Sequence, residues 1–141
     1  MDFTCPDNLL FECGKCGLCC GDTKQKIRHI LLLGSEADTI STATCLPKLV
    51  FTKEIVDKTP YCYEMKKDDE GSCFFLRDNR CAIYALRPLI CRFYPFELKF
   101  DQNKKTHVFN FTLECPEMGK GKLLTKKYFK ELFLLAKEKL P

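Results

Sequence analysis

Cysteine is the residue that could do chemistry here. There are 11 in 141 residues, and four of them crowd together as Cys13-x2-Cys16-x2-Cys19-Cys20. Gaps of two residues let successive thiolates point at one centre while the backbone curls around it. Gly14, Gly17 and Gly21 suit such a knuckle, which often needs a positive φ. Backbone amides inside the curl can donate to the sulfurs and tune a bound metal. Cys19 and Cys20 are neighbours, and two adjacent thiolates do not easily serve one mononuclear ion. They suggest two sites sharing a wall, or a multinuclear cluster.

A second group is spread along the chain as Cys73-x7-Cys81-x9-Cys91, followed by Cys115-Pro116. With the first cluster it makes eight candidate ligands: Cys13, Cys16, Cys19, Cys20, Cys73, Cys81, Cys91 and Cys115. Zinc favours four S or N ligands, usually from two C-x2–4-C pairs. Iron–sulfur clusters use C-x2-C-x2-C runs with a further Cys before Pro. Cys13, Cys16, Cys19 and Cys115-Pro116 follow the second arrangement more closely, although bacterial ferredoxins place the fourth cysteine three residues on. The cofactor expected is an iron–sulfur cluster, of 4Fe-4S type, or Zn2+. Cys5, Cys45 and Cys62 fall outside the pattern and are expected to be packing residues.

The stretch around Cys91 carries two cations. Pro88 suits the first position of a short helix, which would set Arg87 and Cys91 four apart on one face. Arg87 and Arg92 would then lower thiol pKa and offset thiolate charge, and so count as cofactor-binding candidates; the alternative is ordinary surface or backbone contacts. His29 and His107 are the only histidines, and neither stands at ligand spacing from a cysteine. P-loop, dinucleotide-binding and H-E-x-x-H motifs are absent. No carboxylate pair stands out as an acid/base couple, so no catalytic residue is nominated.

The elements that must position these thiols are short. Residues 1–23 read as irregular. Ile27 to Leu33 reads as a strand or a helix end, and Ser35 with Asp38 as the cap of a short helix. Tyr61 to Lys66 reads as a strand, and Asp68 to Gly71 as a turn. Phe74 to Leu76 and Ala82 to Tyr84 suggest a hairpin edged by Cys73 and Cys81, and Phe96 to Phe100 with Val108 to Leu113 a second. Lys122 to Leu140 is the clearest helix, with Leu124, Tyr128, Leu132 and Leu135 on its stripe and Phe129, Phe133 and Ala136 beside it. The expected fold is a small α+β domain, irregular around its cysteines, with short hairpins and a C-terminal helix. One domain over residues 1–141 is expected, with the motif core at about 11–116 and the helix at about 122–140.

Composition bounds the partners and the compartment. The chain is 45% hydrophobic with 12 Phe, enough for a real core. Of its net charge of +4, residues 119–141 alone supply seven lysines against Glu131 and Glu138. That face is solvated, or docks an acidic protein; a nucleic-acid partner is not favoured. The start of the chain lacks the basic, apolar pattern of a secretory signal, and no run approaches the ~20 apolar residues of a membrane span. A reducing cytoplasm is expected, where disulfides are rare and clustered cysteines bind metal.

Several of these pieces recur together in a known family. Cys13-x2-Cys16-x2-Cys19-Cys20, Cys73-Phe74-Phe75-Leu76, Cys81-Ala82-Ile83-Tyr84, Arg87-Pro88 and Cys91-Arg92-Phe93-Tyr94-Pro95 resemble the YkgJ-type CxxCxxCC cysteine-cluster family, described as a zinc- or iron-chelating domain. The resemblance spans about residues 11 to 116. It implies metal chelation by the eight cysteines at matching positions. A related motif occurs in flagellin lysine N-methylases beside other sequence, and that activity does not carry over to so short a chain. The readings that follow are an electron-transfer or redox-sensing metal protein, a structural zinc module that binds a partner, and a metal-dependent enzyme.

Overall fold

The computed structural model describes residues 3–13, 20–23, 27–113, 115 and 117–140. In chain order its elements are β1 (Phe3–Thr4), β2 (Leu31–Leu32), α1 (Gly34–Thr44), α2 (Lys48–Phe51), β3 (Thr52–Glu54), β4 (Tyr63–Met65), β5 (Leu76–Arg77), β6 (Arg80–Cys81), a 3-10 turn (Tyr84–Leu86), α3 (Leu89–Phe93), β7 (Phe96–Asp101), β8 (Thr106–Phe111) and α4 (Lys126–Lys139). This is the α+β class expected, with short sheets and a C-terminal helix. None of the helices among the described residues is long and apolar enough to cross a membrane. The chain forms two compact units, Met1–Gly14 with Phe93–Pro141, and Lys15–Arg92.

The first unit is built on aromatic rings. β7 and β8 pair antiparallel from Phe96↔Phe111 to Asp101↔Thr106, and β1 joins β8 in parallel. Alternation puts Phe96, Leu98, His107 and Phe109 on one face of the hairpin. Asp101 sets the turn, its carboxylate accepting from the Asn103 and Lys104 amides. Phe129 of α4 is fully buried, its ring 5.0 Å from those of Phe96 and Phe109. Phe133 stacks on Phe3 at 5.1 Å.

Helix α4 starts later than its apolar pattern suggests. Leu123 bridges Leu10, and the Lys122 carbonyl accepts from the Phe11 amide at 2.9 Å. Residues 122–124 are thus spent on extended pairing, and Thr125 caps the helix by accepting from Tyr128. The buried stripe is Phe129, Phe133 and Ala136, so the face is rotated from the one expected.

The second unit is built from shorter pieces. β2, β4 and β3 form a sheet with β4 in the middle. Ile30, Leu32, Ala37, Ile40, Phe51, Met65, Phe75 and Ile83 share one core with Cys20, Cys73 and Cys91, and Cys81 packs against it. The expected cap at Ser35 and Asp38 is absent. Glu36 serves instead, its carboxylate taking the Leu33 amide at 2.9 Å. β5 and β6 make the first hairpin, turned by Asp78 and Asn79, both at positive φ. Ile83 and Tyr84 lead into the 3-10 turn rather than extending that hairpin, and α3 begins at Leu89, one residue after Pro88.

Candidate metal centre

The segment after Cys20 is laid against the Asp68–Ser72 loop by a short ladder. The Cys73 amide donates to the Cys20 carbonyl at 2.5 Å, Gly21 bridges Ser72, and the Asp22 amide donates to the Gly71 carbonyl at 2.9 Å. Gly21 and Gly71 permit this approach. A Cβ on Gly21 would meet the Gly71 oxygen at 2.9 Å. A Cβ on Gly71, itself at φ +81°, would meet Asp22 Oδ2 at 2.6 Å. Gly21 therefore serves close contact rather than a positive φ; Gly14 and Gly17 lie outside the described residues.

Two carboxylates hold the ladder in register. Asp68 Oδ1 accepts from the Glu70 and Ser72 amides and closes the loop before Cys73. Asp22 Oδ1 accepts from the Arg28 amide at 2.7 Å and from Lys67 Nζ at 2.8 Å. The Lys67 hydrogen bond, then the Arg28 amide, hold the Asp22 carboxyl below its ordinary range.

Cys73 sits in a knuckle of its own. Its sulfur accepts from the Phe75 amide at 3.4 Å, and its carbonyl accepts from the Leu76 amide at 2.9 Å. An amide aimed at a sulfur can orient it and tune a metal that it binds. Cys81 lies opposite Leu76 in the β5–β6 pair. Cys91 lies in α3, its amide donating to the Pro88 carbonyl at 2.9 Å. The helix begins at Leu89, so Pro88 stands just before its first position, and Arg87, extended at ψ 139°, does not share a helix face with Cys91.

The structure thus gathers Cys20, Cys73, Cys81 and Cys91 in and around one apolar core. Cys13 and Cys115 belong to the first unit, where Cys13 is exposed and Cys115 is buried. Cys16 and Cys19 lie outside the described residues. Among the described residues no group of three or more His, Cys, Asp or Glu stands close enough to hold a metal ion. The donor chemistry fits a thiophilic metal: soft sulfurs, buried, one of them already taking an amide hydrogen.

Arg87 and Arg92 are engaged close to home. Arg87 Nε donates to the Tyr84 carbonyl at 2.9 Å, and its guanidinium lies 3.8 Å from the centroid of the Tyr84 ring. Arg92 donates to the carbonyls of Arg87 and Ala85. His29 pairs with Glu64 at 2.8 Å, and His107 packs edge-on to Phe100 and Phe133. Cys45 and Cys62 are exposed rather than packed, since Cys45 ends α1 in a left-handed conformation and Cys62 precedes the short strand β4.

The family described as "CxxCxxCC: Putative zinc- or iron-chelating domain" matches residues 12–116. The chain belongs to this family. Membership supports metal binding as a general property of the CxxCxxCC domain. The chain is also similar to the uncharacterized protein MJ0661 of Methanocaldococcus jannaschii, at 27% identity over 93% of this chain and 71% of that protein. No solved structure gives a significant match. Sequence reasoning missed Asp22 and Glu36, whose partners are far away in the chain. The one local signal was Glu36 three residues after the last buried residue of β2's apolar run.

Proposed function

We propose that this CxxCxxCC domain holds an iron–sulfur cluster of 4Fe-4S type and serves in electron transfer or redox sensing in a reducing compartment. The thiolates are drawn from Cys13, Cys16, Cys19, Cys20, Cys73, Cys81, Cys91 and Cys115. The observation that carries this reading is the Cys73 knuckle. Its sulfur takes the Phe75 amide within the core that also contains Cys20 and Cys91. Amides on sulfur and an apolar surround are the protein's two levers on cluster potential. When bound, the cluster would supply one-electron chemistry. The chain's part is to bury the sulfurs, orient them and exclude water. Arg87 and Arg92, near Cys91 in sequence, offset part of the thiolate charge. A set of four cysteines leaves no open position, which favours electron transfer over substrate chemistry.

The test is metal content and an absorption spectrum on protein purified without oxygen. Brown protein with iron and labile sulfide is the expected result. Colourless protein with stoichiometric zinc would overturn the cluster and favour the second reading, a structural zinc module. That reading draws on α4, where Lys127, opposite the buried stripe of Phe129 and Phe133, and Lys130, at its flank, are exposed. This face would dock an acidic protein. Salt-sensitive binding of polyglutamate, lost in Lys127→Glu/Lys130→Glu, would support it, and equal binding by that variant would not.

A further inference from the structure

Glu36 is a buried carboxylate that joins two helix starts, its own and one at Leu89, 53 residues further along the chain. Oε1 accepts from the Leu33 amide at 2.9 Å, and Oε2 accepts from the Leu89 amide at 2.5 Å. The first bond caps α1. The second reaches the first residue of α3, the helix that carries Cys91. Pro88 and Leu89 are both buried, so water does not readily replace the carboxylate there. A five-residue helix cannot satisfy its own first amides, and Pro88 has no N–H to offer. The charge is local in its reach: Tyr61, whose hydroxyl is held above its ordinary range first by burial, also feels Glu36.

We propose that Glu36 is a positioning residue for the metal centre. It fixes the start of α3 against α1 and so sets where Cys91 stands relative to Cys20 and Cys73. This rests on the metal-binding reading above. Partners that hydrogen-bond a metal ligand directly change metal affinity by about 10- to 100-fold when altered. Glu36 holds the backbone two residues before Cys91, so the lower figure is the one expected. Glutamine at position 36 keeps the side-chain length but offers one acceptor oxygen for two amides. One helix start is then left without its partner.

The experiment is Zn(II) binding to the reduced full-length chain, read by competition with a chromophoric chelator. Wild type is compared with Glu36→Gln and with the surface variant Glu131→Gln. Glu36→Gln should bind zinc about 10-fold more weakly, with an unchanged apo far-UV spectrum, while Glu131→Gln matches wild type. Equal zinc affinity in wild type and Glu36→Gln would overturn the proposal and leave the metal-binding reading intact. Wild type that takes up neither zinc nor iron would overturn that reading itself. If Glu36→Gln does not fold, hydrogen exchange of the Leu89 amide in wild type decides the matter. Slower exchange with zinc supports the link, and unchanged exchange overturns it.

Discussion

The two units solve the same problem with different means. In the first, two six-residue strands and a 14-residue helix enclose a set of stacked and edge-on rings. In the second, the sheet strands are two or three residues long, and thiols stand among the core side chains. Strands that short carry few ladder bonds and are marginal without further support. Carboxylates supply some of it, with Asp22, Asp68 and Glu36 each tying backbone amides that the short elements leave over. Side-chain burial can carry the first unit alone. On the proposed reading, a bound metal would finish the second.

The sharpest way to break that comparison is to remove the metal. A structural zinc site contributes on the order of 10–16 kcal/mol of apparent binding energy, more than most small domains have to spare. Chelation of the reduced, loaded protein should therefore abolish amide protection at Cys73, Phe75 and Met65. Amides of β7, β8 and α4 should keep most of theirs. Hydrogen exchange read by mass spectrometry checks this, and uniform loss across both units would erase the distinction.

A smaller effect sharpens it from the other side. Phe129 and Phe51 are both fully buried, one in each unit. Truncating either to alanine should cost about 3–5 kcal/mol. Phe129→Ala should lower the urea midpoint of the first unit and, where the metal rests on Cys20, Cys73, Cys81 and Cys91, leave metal content at the wild-type level. Phe51→Ala, next to Phe74 and Phe75 beside the Cys73 knuckle, should lose metal as well. Equal metal loss in the two variants would contradict the division of labour.

How much of this was readable in advance follows from the range of each interaction. The β7–β8 hairpin was legible because its alternation and its turn lie within sixteen residues. The turn at Asp68 to Gly71 and the short helix after Pro88 were legible for the same reason, though that helix begins one residue later than its pattern suggests, at Leu89. The first turn of the C-terminal helix was misread because Leu123 pairs with Leu10, a partner no local window contains. The Ser35 and Asp38 cap gave way to Glu36, which gains a second amide at Leu89 that a cap further along could not reach. The cysteine motif was legible by type and spacing, and the family match spans it. The anchors were not, since Asp22 meets Lys67 and Glu36 meets Leu89 only after folding.

The smallest expected effect lies at a cysteine outside the motif. Cys5 belongs to the first unit, and its thiol is held above its ordinary range, first by burial and then by Asp7, with Lys126 pulling the other way. The thiolate is the nucleophile, so at a given pH Cys5 offers less of it. Iodoacetamide at about pH 8 should label the exposed Cys45 and Cys62 before Cys5. The gap should narrow as pH rises toward the raised value, because a thiol pushed up in pKa gains thiolate last. Asp7→Asn should speed Cys5 modestly, and Lys126→Ala should slow it. Repeating the labelling after chelation turns this into a comparison of the units. Cys20, Cys73 and Cys91 should become reactive while the rate at Cys5 stays fixed. A Cys5 rate that rose in step with theirs would mean that its burial depends on the metal, and the two units would have to be treated as one folding element.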